Sequence, residues 1–201
     1  MKEVFETALE KGLQVRPLGL PGCFALVVPV FRDRRGSFVK TVRRDFFDRL
    51  GLDWRFPEQF YSRSRKGVLR GLHFQLPPMS QAKLIICIQG EVLDALVDLR
   101  ADSPAYGSHA TVSMCEDDGT MIYMPAGIAH GFYAIRDAVL HYHVSAPYSP
   151  PHDSGIRWDT AGIEWPEDQP LLSERDAGLP ALDRFASPFR MRESNTGDEG
   201  E

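Results

Sequence analysis

The side chains best equipped for chemistry in this chain gather in Gly67–Lys83, which holds Arg70, His73, Gln75 and Lys83. Leu72, His73, Phe74 and Gln75 alternate apolar and polar, and a period of two places His73 and Gln75 on one face of a strand with Arg70 close by. A turn at Leu76-Pro77-Pro78 leads into a second apolar run, Leu84–Ile88, with Lys83 at its mouth. An imidazole titrates near neutral pH and an ammonium stabilises developing negative charge, so the pair suits proton abstraction with a cation beside the resulting anion. Another histidine, His130, follows the tight turn Pro125-Ala126-Gly127 at the start of a strand. Further on, His141 and His143 share a strand face that Tyr142 does not.

Those groups need a scaffold, and composition bounds it. With 201 residues, 43% of them hydrophobic and 10% aromatic, the chain can bury the core of one ordinary domain. The formal net charge of -5 argues against nucleic acid as a partner. Basic residues still cluster early, at Arg32, Arg34, Arg35, Lys40, Arg43 and Arg44 and again at Arg63, Arg65, Lys66 and Arg70, as a solvated face or as contacts for a small anion. Cys23, Cys87 and Cys115 form no CxxC, and the odd count fits a reducing compartment. The first residues lack the apolar stretch of a signal peptide, and no run approaches the roughly 20 apolar residues that span a bilayer. A cytoplasmic protein with no membrane partner is expected.

Local patterns predict a helix over Val4–Lys11, a strand over Cys23–Val30 placed at a sheet edge by Pro29, a turn at Asp33–Gly36 and a strand over Ser37–Val42. Asp45–Leu50 reads as a helix with Asp45 as its N-cap and Gly51 as its stop. Short β-rich runs then follow at Gln59–Ser64, Val68–Gln75, Leu84–Ile88, Val92–Asp98, His109–Ser113, Thr120–Met124, His130–Ile135 and Val139–Val144. Regular short strands punctuated by Gly, Pro and Asp predict a mainly β sandwich or barrel. The acidic end, 190–201, has no periodicity and is expected to be disordered, leaving 1–189 as a single domain.

Pro125–Phe132 resembles the second motif of the cupin superfamily, small β jelly-roll barrels that bind ligands inside. A fuller match, from about Arg16 to Phe189, rests on Asp33–Phe38, Arg70–Gln75, Gln81–Leu84, Asp98–Arg100, Pro125–Phe132 and Ser173–Asp176. By these motifs the chain resembles the nucleotide-sugar epimerases similar to dTDP-4-dehydrorhamnose 3,5-epimerase, a cupin family with short peripheral helices. The resemblance implies a cofactor-independent epimerase that inverts C3, C5 or both of a nucleotide-linked 4-keto-6-deoxy sugar through an enolate. It assigns the base to His73, the carboxylate that orients it to Asp176, the acid to Tyr142 and the cation beside the enolate to Lys83. Histidine suits the first role and a ring-fixed phenol the second, on opposite faces of the sugar.

The same resemblance implies substrate contacts from Arg70, Gln75, His130, Asp153 and Arg175, with Arg175 and Asp153 standing where the family often has lysine and glutamate. It also implies a homodimer that exchanges N-terminal strands, so that Arg35 reaches a phosphate in the neighbouring subunit's site, accompanied by Phe38. Lys40, Glu58 and Phe60 depart from the family's pattern at positions that contact the nucleoside. On sequence alone they predict that a GDP- or CDP-linked sugar is preferred to the dTDP-linked one. No metal is expected, because the first-motif region reads His73-Phe74-Gln75 without a His-x-His or a following glutamate. A three-histidine site of His73, His130 and one of His141 or His143 is the metal-dependent alternative. A 3,4-ketoisomerase and a non-catalytic sugar-binding cupin are the others.

Overall fold

The computed structural model describes residues 12–116 and 118–191. The expected helix at Val4–Lys11 and the tail beyond Met191 lie outside these residues. The strands in chain order are β1 (Gln14–Pro17), β2 (Phe24–Val27), β3 (Val30–Asp33), β4 (Gly36–Val39), β5 (Glu58–Ser64), β6 (Leu69–Gln75) and β7 (Lys83–Gln89). They continue with β8 (Glu91–Asp98), β9 (His109–Cys115), β10 (Thr120–Met124), β11 (Ile128–Ala134), β12 (Ala138–Val144) and β13 (Asp153–Gly155). Among the described residues two short α-helices join them, α1 (Arg44–Leu50) and α2 (Glu174–Ala177).

Alternation of side chains explains how these strands layer. The ladders are antiparallel and form a six-stranded sheet, β1-β2-β10-β7-β12-β5, and a five-stranded sheet, β13-β6-β11-β8-β9, with β3 and β4 as a separate hairpin. Ile85, Ile122 and Leu140 from the first sheet meet Val92, Leu96 and Phe132 from the second in one buried cluster. Each such side chain contributes about 1.5–3 kcal/mol on burial, so this layer holds the two sheets face to face in a β jelly roll. The opposite faces are covered too. Helix α1 lays Phe46 and Phe47 on Leu84, Ile86 and Tyr123 of the six-stranded sheet, while Ile156, Ile163 and Phe189 cover Leu72, Phe74 and Val97 of the five-stranded one.

Three local expectations are corrected. The run Cys23–Val30 is not one strand: β2 ends at Val27 and β3 starts at Val30, because Pro29 has no N–H for the ladder and the chain leaves the sheet there. Nor is β2 an edge, since β1 and β10 flank it. Strand β4 stops at Val39 rather than Val42, and its hairpin with β3 stands off the body with Phe31 and Phe38 each 59% exposed. Asp45 does not cap α1. Arg43 is the N-cap residue without a side-chain cap bond, and its guanidinium pairs with Asp45 in the first turn, at 2.6 Å from Nη2 to Oδ2. Gly51 does stop the helix, in the left-handed conformation that glycine adopts at least cost.

Candidate active site

Strand parity builds the site at one end of the space between the sheets. In the five-stranded sheet His73 of β6 lies directly opposite His130 of β11, and both point inward. In the six-stranded sheet Lys83 and Ile85 of β7 and Leu140 and Tyr142 of β12 are the inward positions. The histidines and the phenol therefore come from facing walls, and Lys83 ties them together by donating from Nζ to the His73 carbonyl at 3.2 Å. Close approach of β6 to β11 depends on Gly71, at φ 129°, where a Cβ would sit 2.5 Å from the Gly131 Cα.

His73 is oriented from outside the barrel. Its Nε2 lies 2.7 Å from Asp176 Oδ1, and because a carboxylate only accepts, Nε2 carries the proton and Nδ1 keeps its lone pair as a base. The carboxylate is fixed in turn: Gly71 N–H donates to Asp176 Oδ2 at 3.3 Å, and Ser173 caps α2 by accepting from the Asp176 N–H at 3.1 Å. Burial pushes the Asp176 carboxyl up. The His73 hydrogen bond and charge, the Gly71 N–H and Arg175 outweigh that and hold it below the usual carboxylate range.

The other groups are tuned by burial. Desolvation lowers Lys83 to about 8 against the pull of Asp153 and Asp94, so its ammonium is present at neutral pH and lost just above it. Desolvation raises Tyr142 above the ordinary phenol range, which suits a group that gives up its proton only to a strong carbanion. His130 Nε2 lies 2.7 Å from Asp94 Oδ2, and burial pushes the imidazole down and the carboxyl up. That pair leans to its uncharged form.

These groups line a cavity of about 410 Å³ with Glu58, Phe60, Arg70, Gln75, Asp153 and Arg175, so most of the expected contacts meet in one place. Asp176 sits behind His73, buried. Three expected contacts lie elsewhere in the single chain: Arg35 and Phe38 on the β3–β4 hairpin, and Lys40 in a shallower hollow of about 790 Å³ with Trp54, Phe56 and His143 on the outer face of the six-stranded sheet. Gln75 faces the cavity but spends its amide on backbone, donating to Met79 and Pro147 carbonyls at 2.7 and 3.2 Å and accepting from the Ser149 N–H at 2.7 Å. Arg70 donates to Ser64 Oγ at 2.9 Å and to the Arg63 carbonyl at 3.0 Å. Asp153 pairs with Arg175 at 2.8 Å and accepts from the Tyr148 hydroxyl at 3.2 Å.

Ser62, Gln81, Asp94 and Tyr148 belong to the site without having been expected. Asp94 had a usable signal. It shares its strand face with Val92 and Leu96, so the alternation of β8 turns a carboxylate into the core. The three-histidine set does not assemble, because β12 turns His141 and His143 to the outer face, where His143 packs on Phe56 with ring centroids 5.4 Å apart. Among the described residues no group of three or more His, Cys, Asp or Glu is arranged around a common point for a metal.

The model of the family described as dTDP-4-dehydrorhamnose 3,5-epimerase matches residues 17–184. The chain belongs to that family. It is 40% identical over 165 residues to a dTDP-4-dehydrorhamnose 3,5-epimerase of Sinorhizobium fredii, covering 80% of this chain and 85% of that one. A dTDP-4-dehydrorhamnose 3-epimerase of Streptomyces niveus is 37% identical over 168 residues, 82% of this chain and 81% of its own. Among solved structures, dTDP-6-deoxy-D-glucose-3,5-epimerase of Legionella pneumophila Philadelphia 1 in complex with dTDP-4-keto-L-rhamnose superimposes with a TM-score of 0.84 at 30% identity, over 89% of this chain and 99% of that one. The family's fold is the cupin-type jelly roll described above, and its members are isomerases of nucleotide sugars, so the chain is an epimerase-class enzyme.

Proposed function

We propose that the chain inverts C3, C5 or both of a nucleotide-linked 4-keto-6-deoxy sugar. The observation that carries this reading is the placement of the His73–Asp176 pair and Tyr142 on facing walls, with Lys83 reaching from the Tyr142 wall to the His73 carbonyl. A C–H bond beside a ketone is acidic only if the enolate oxygen is stabilised, and inversion needs the returning proton to come from the other side. His73 Nδ1 takes the proton, the bonding pair moves into the enolate, Lys83 stabilises the oxygen, and Tyr142 returns a proton to the opposite face. Imidazolium and phenolate then reset by exchange with water. Each half of this cycle is balanced without a cofactor.

The nucleotide in this proposal is dTDP, as in the names of the relatives, in place of the GDP or CDP expected from the sequence. Support comes from how the departing residues are engaged. The Glu58 carboxylate accepts from the Tyr148 N–H at 2.8 Å, the Phe60 ring lies on Tyr142, and Lys40 lies outside the cavity. Within one chain they offer a different base little to recognise. Comparing kcat/KM for dTDP-, GDP- and CDP-linked 4-keto sugars decides the point, and a GDP or CDP preference would reverse it. The partner is a second copy, to whose site the exposed hairpin with Arg35 and Phe38 is delivered by exchange of N-terminal strands, and the compartment is the cytoplasm.

The test of the activity is incubation with the sugar in heavy water. Deuterium is expected at each carbon that His73 deprotonates and is expected to vanish in His73→Asn. Exchange at the wild-type rate in that variant overturns the reading.

A further inference from the structure

An acid that inverts a carbon must present its proton from one side, and Tyr142 is held there by an unusual means. Among the described residues its hydroxyl has only a marginal hydrogen bond, from Ser62 Oγ at 3.5 Å, so no strong polar contact from them fixes it. The ring is fixed instead. Phe60 lies directly opposite Tyr142 in the β5–β12 register, and the two rings stack face to face with centroids 4.7 Å apart and planes 11° apart. On another side the His130 ring meets Tyr142 edge-on at 6.1 Å and 76°, and His130 is itself locked by Asp94. Phe60 is 44% exposed on an edge strand, whereas Tyr142 beneath it is 7% exposed. A side chain without hydrogen-bonding groups gains nothing from pairing with a nucleobase edge, but its face lies over the phenol ring.

Resting on the epimerase reading above, we propose that Phe60 is a positioning residue for the acid: its ring holds the Tyr142 phenol against the wall opposite His73 and thereby sets how many enolates are reprotonated with inversion. In the forward step the Tyr142 O–H bond breaks as the enolate pair forms a C–H bond on the new face. In the competing step His73 gives a proton back to the old face, and the starting sugar returns. Loss of the stack lets the phenol tilt and favours the second step. Abstraction by His73, which does not involve Phe60, continues.

The experiment compares wild type, Phe60→Leu and Phe60→Tyr with the same dTDP-linked 4-keto sugar in heavy water, measuring deuterium in recovered substrate and in inverted product. Phe60→Leu is expected to raise the ratio of exchange to inversion by about 3- to 10-fold, the range that a stacked aromatic pair supports. The change should fall on kcat for inversion, with KM within about twofold. Phe60→Tyr, which keeps a ring, is expected to restore the wild-type ratio. Circular dichroism, expected to match wild type, serves as the folding control. A raised KM with an unchanged ratio in Phe60→Leu overturns the inference, since Phe60 would then bind substrate rather than place the acid. So does a Phe60→Tyr enzyme that behaves like Phe60→Leu. Failure of wild type to exchange or invert any nucleotide 4-keto sugar overturns the epimerase reading itself, a separate result.

Discussion

Two histidine–carboxylate pairs face the same cavity, and each has Nε2 2.7 Å from a carboxylate oxygen. Their surroundings differ. The His73 side chain is 26% exposed and its carboxylate is held by a backbone N–H and neighbouring charge, whereas His130 and Asp94 are 5% and 0% exposed and Asp94 Oδ1 is buried with no hydrogen-bond partner among the described residues. The first carboxylate is pushed toward ionisation and the second away from it. Identical contacts thus leave an ionised carboxylate behind one imidazole and a pair that leans to its uncharged form in the other place. Burial and the partners of the carboxylate decide which.

The sharpest way to break this comparison is to give both carboxylates the same lesion. Asp176→Asn should cut deuterium exchange by about 100-fold or more, because an amide no longer holds the imidazole in the basic tautomer or stabilises its cation. An Asp176→Asn enzyme that exchanges normally would remove the distinction between the pairs. Next in size is the alkaline limb of the pH profile. Lys83, lowered to about 8 by burial, must be protonated to stabilise the enolate, so turnover should fall about tenfold for each pH unit above that value. In Lys83→Arg the limb should move well above pH 9, whatever the residual rate. A limb unmoved by that substitution would assign it to another group.

Asp94→Asn should act mainly on stability. The buried pair loses the carboxyl matched to His130, and urea unfolding should show a loss of about 1–3 kcal/mol, with exchange lowered by less than about tenfold. A large fall in exchange without a change in stability would make the second pair catalytic as well. The smallest expected effect is none: exhaustive chelation should leave turnover unchanged, since both pairs spend Nε2 on carboxylates and His141 and His143 face the other way. Loss of turnover, restored by a divalent metal, would overturn that.

Legibility in the sequence followed the range of the interactions. His73, Lys83 and His130 could be found by alternation and turn chemistry, because strand parity is a local property. Tyr142 was separated from its histidine neighbours by the same rule. Asp176 lies 103 residues from His73 and could be assigned only through the family resemblance, since nothing local marks a carboxylate that will dock on a distant strand. Asp94 was readable from the β8 pattern but sat in an apolar run that looked like ordinary core. Gln75 lines the cavity, yet its amide is occupied by loop backbone from positions 79, 147 and 149, which a one-dimensional pattern does not register. The hairpin was misjudged where Pro29 divides one apolar run into strands belonging to different sheets.

The long separation between His73 and Asp176 also has a meaning in time. At about 5–20 residues per second, the 103 residues between them occupy a ribosome for roughly 5–20 seconds. During that interval the strands β7 to β13 are made and can begin to pair with those already present, while the histidine still lacks the group that orients it. The contacts of Leu171 with Gly67 and Leu69, and of Asp176 with Gly71, then strap the late segment across β6. Assembly of the container and the docking of Asp176 on His73 are thus separate events, and a nascent chain holds a nearly finished barrel before it holds that pair.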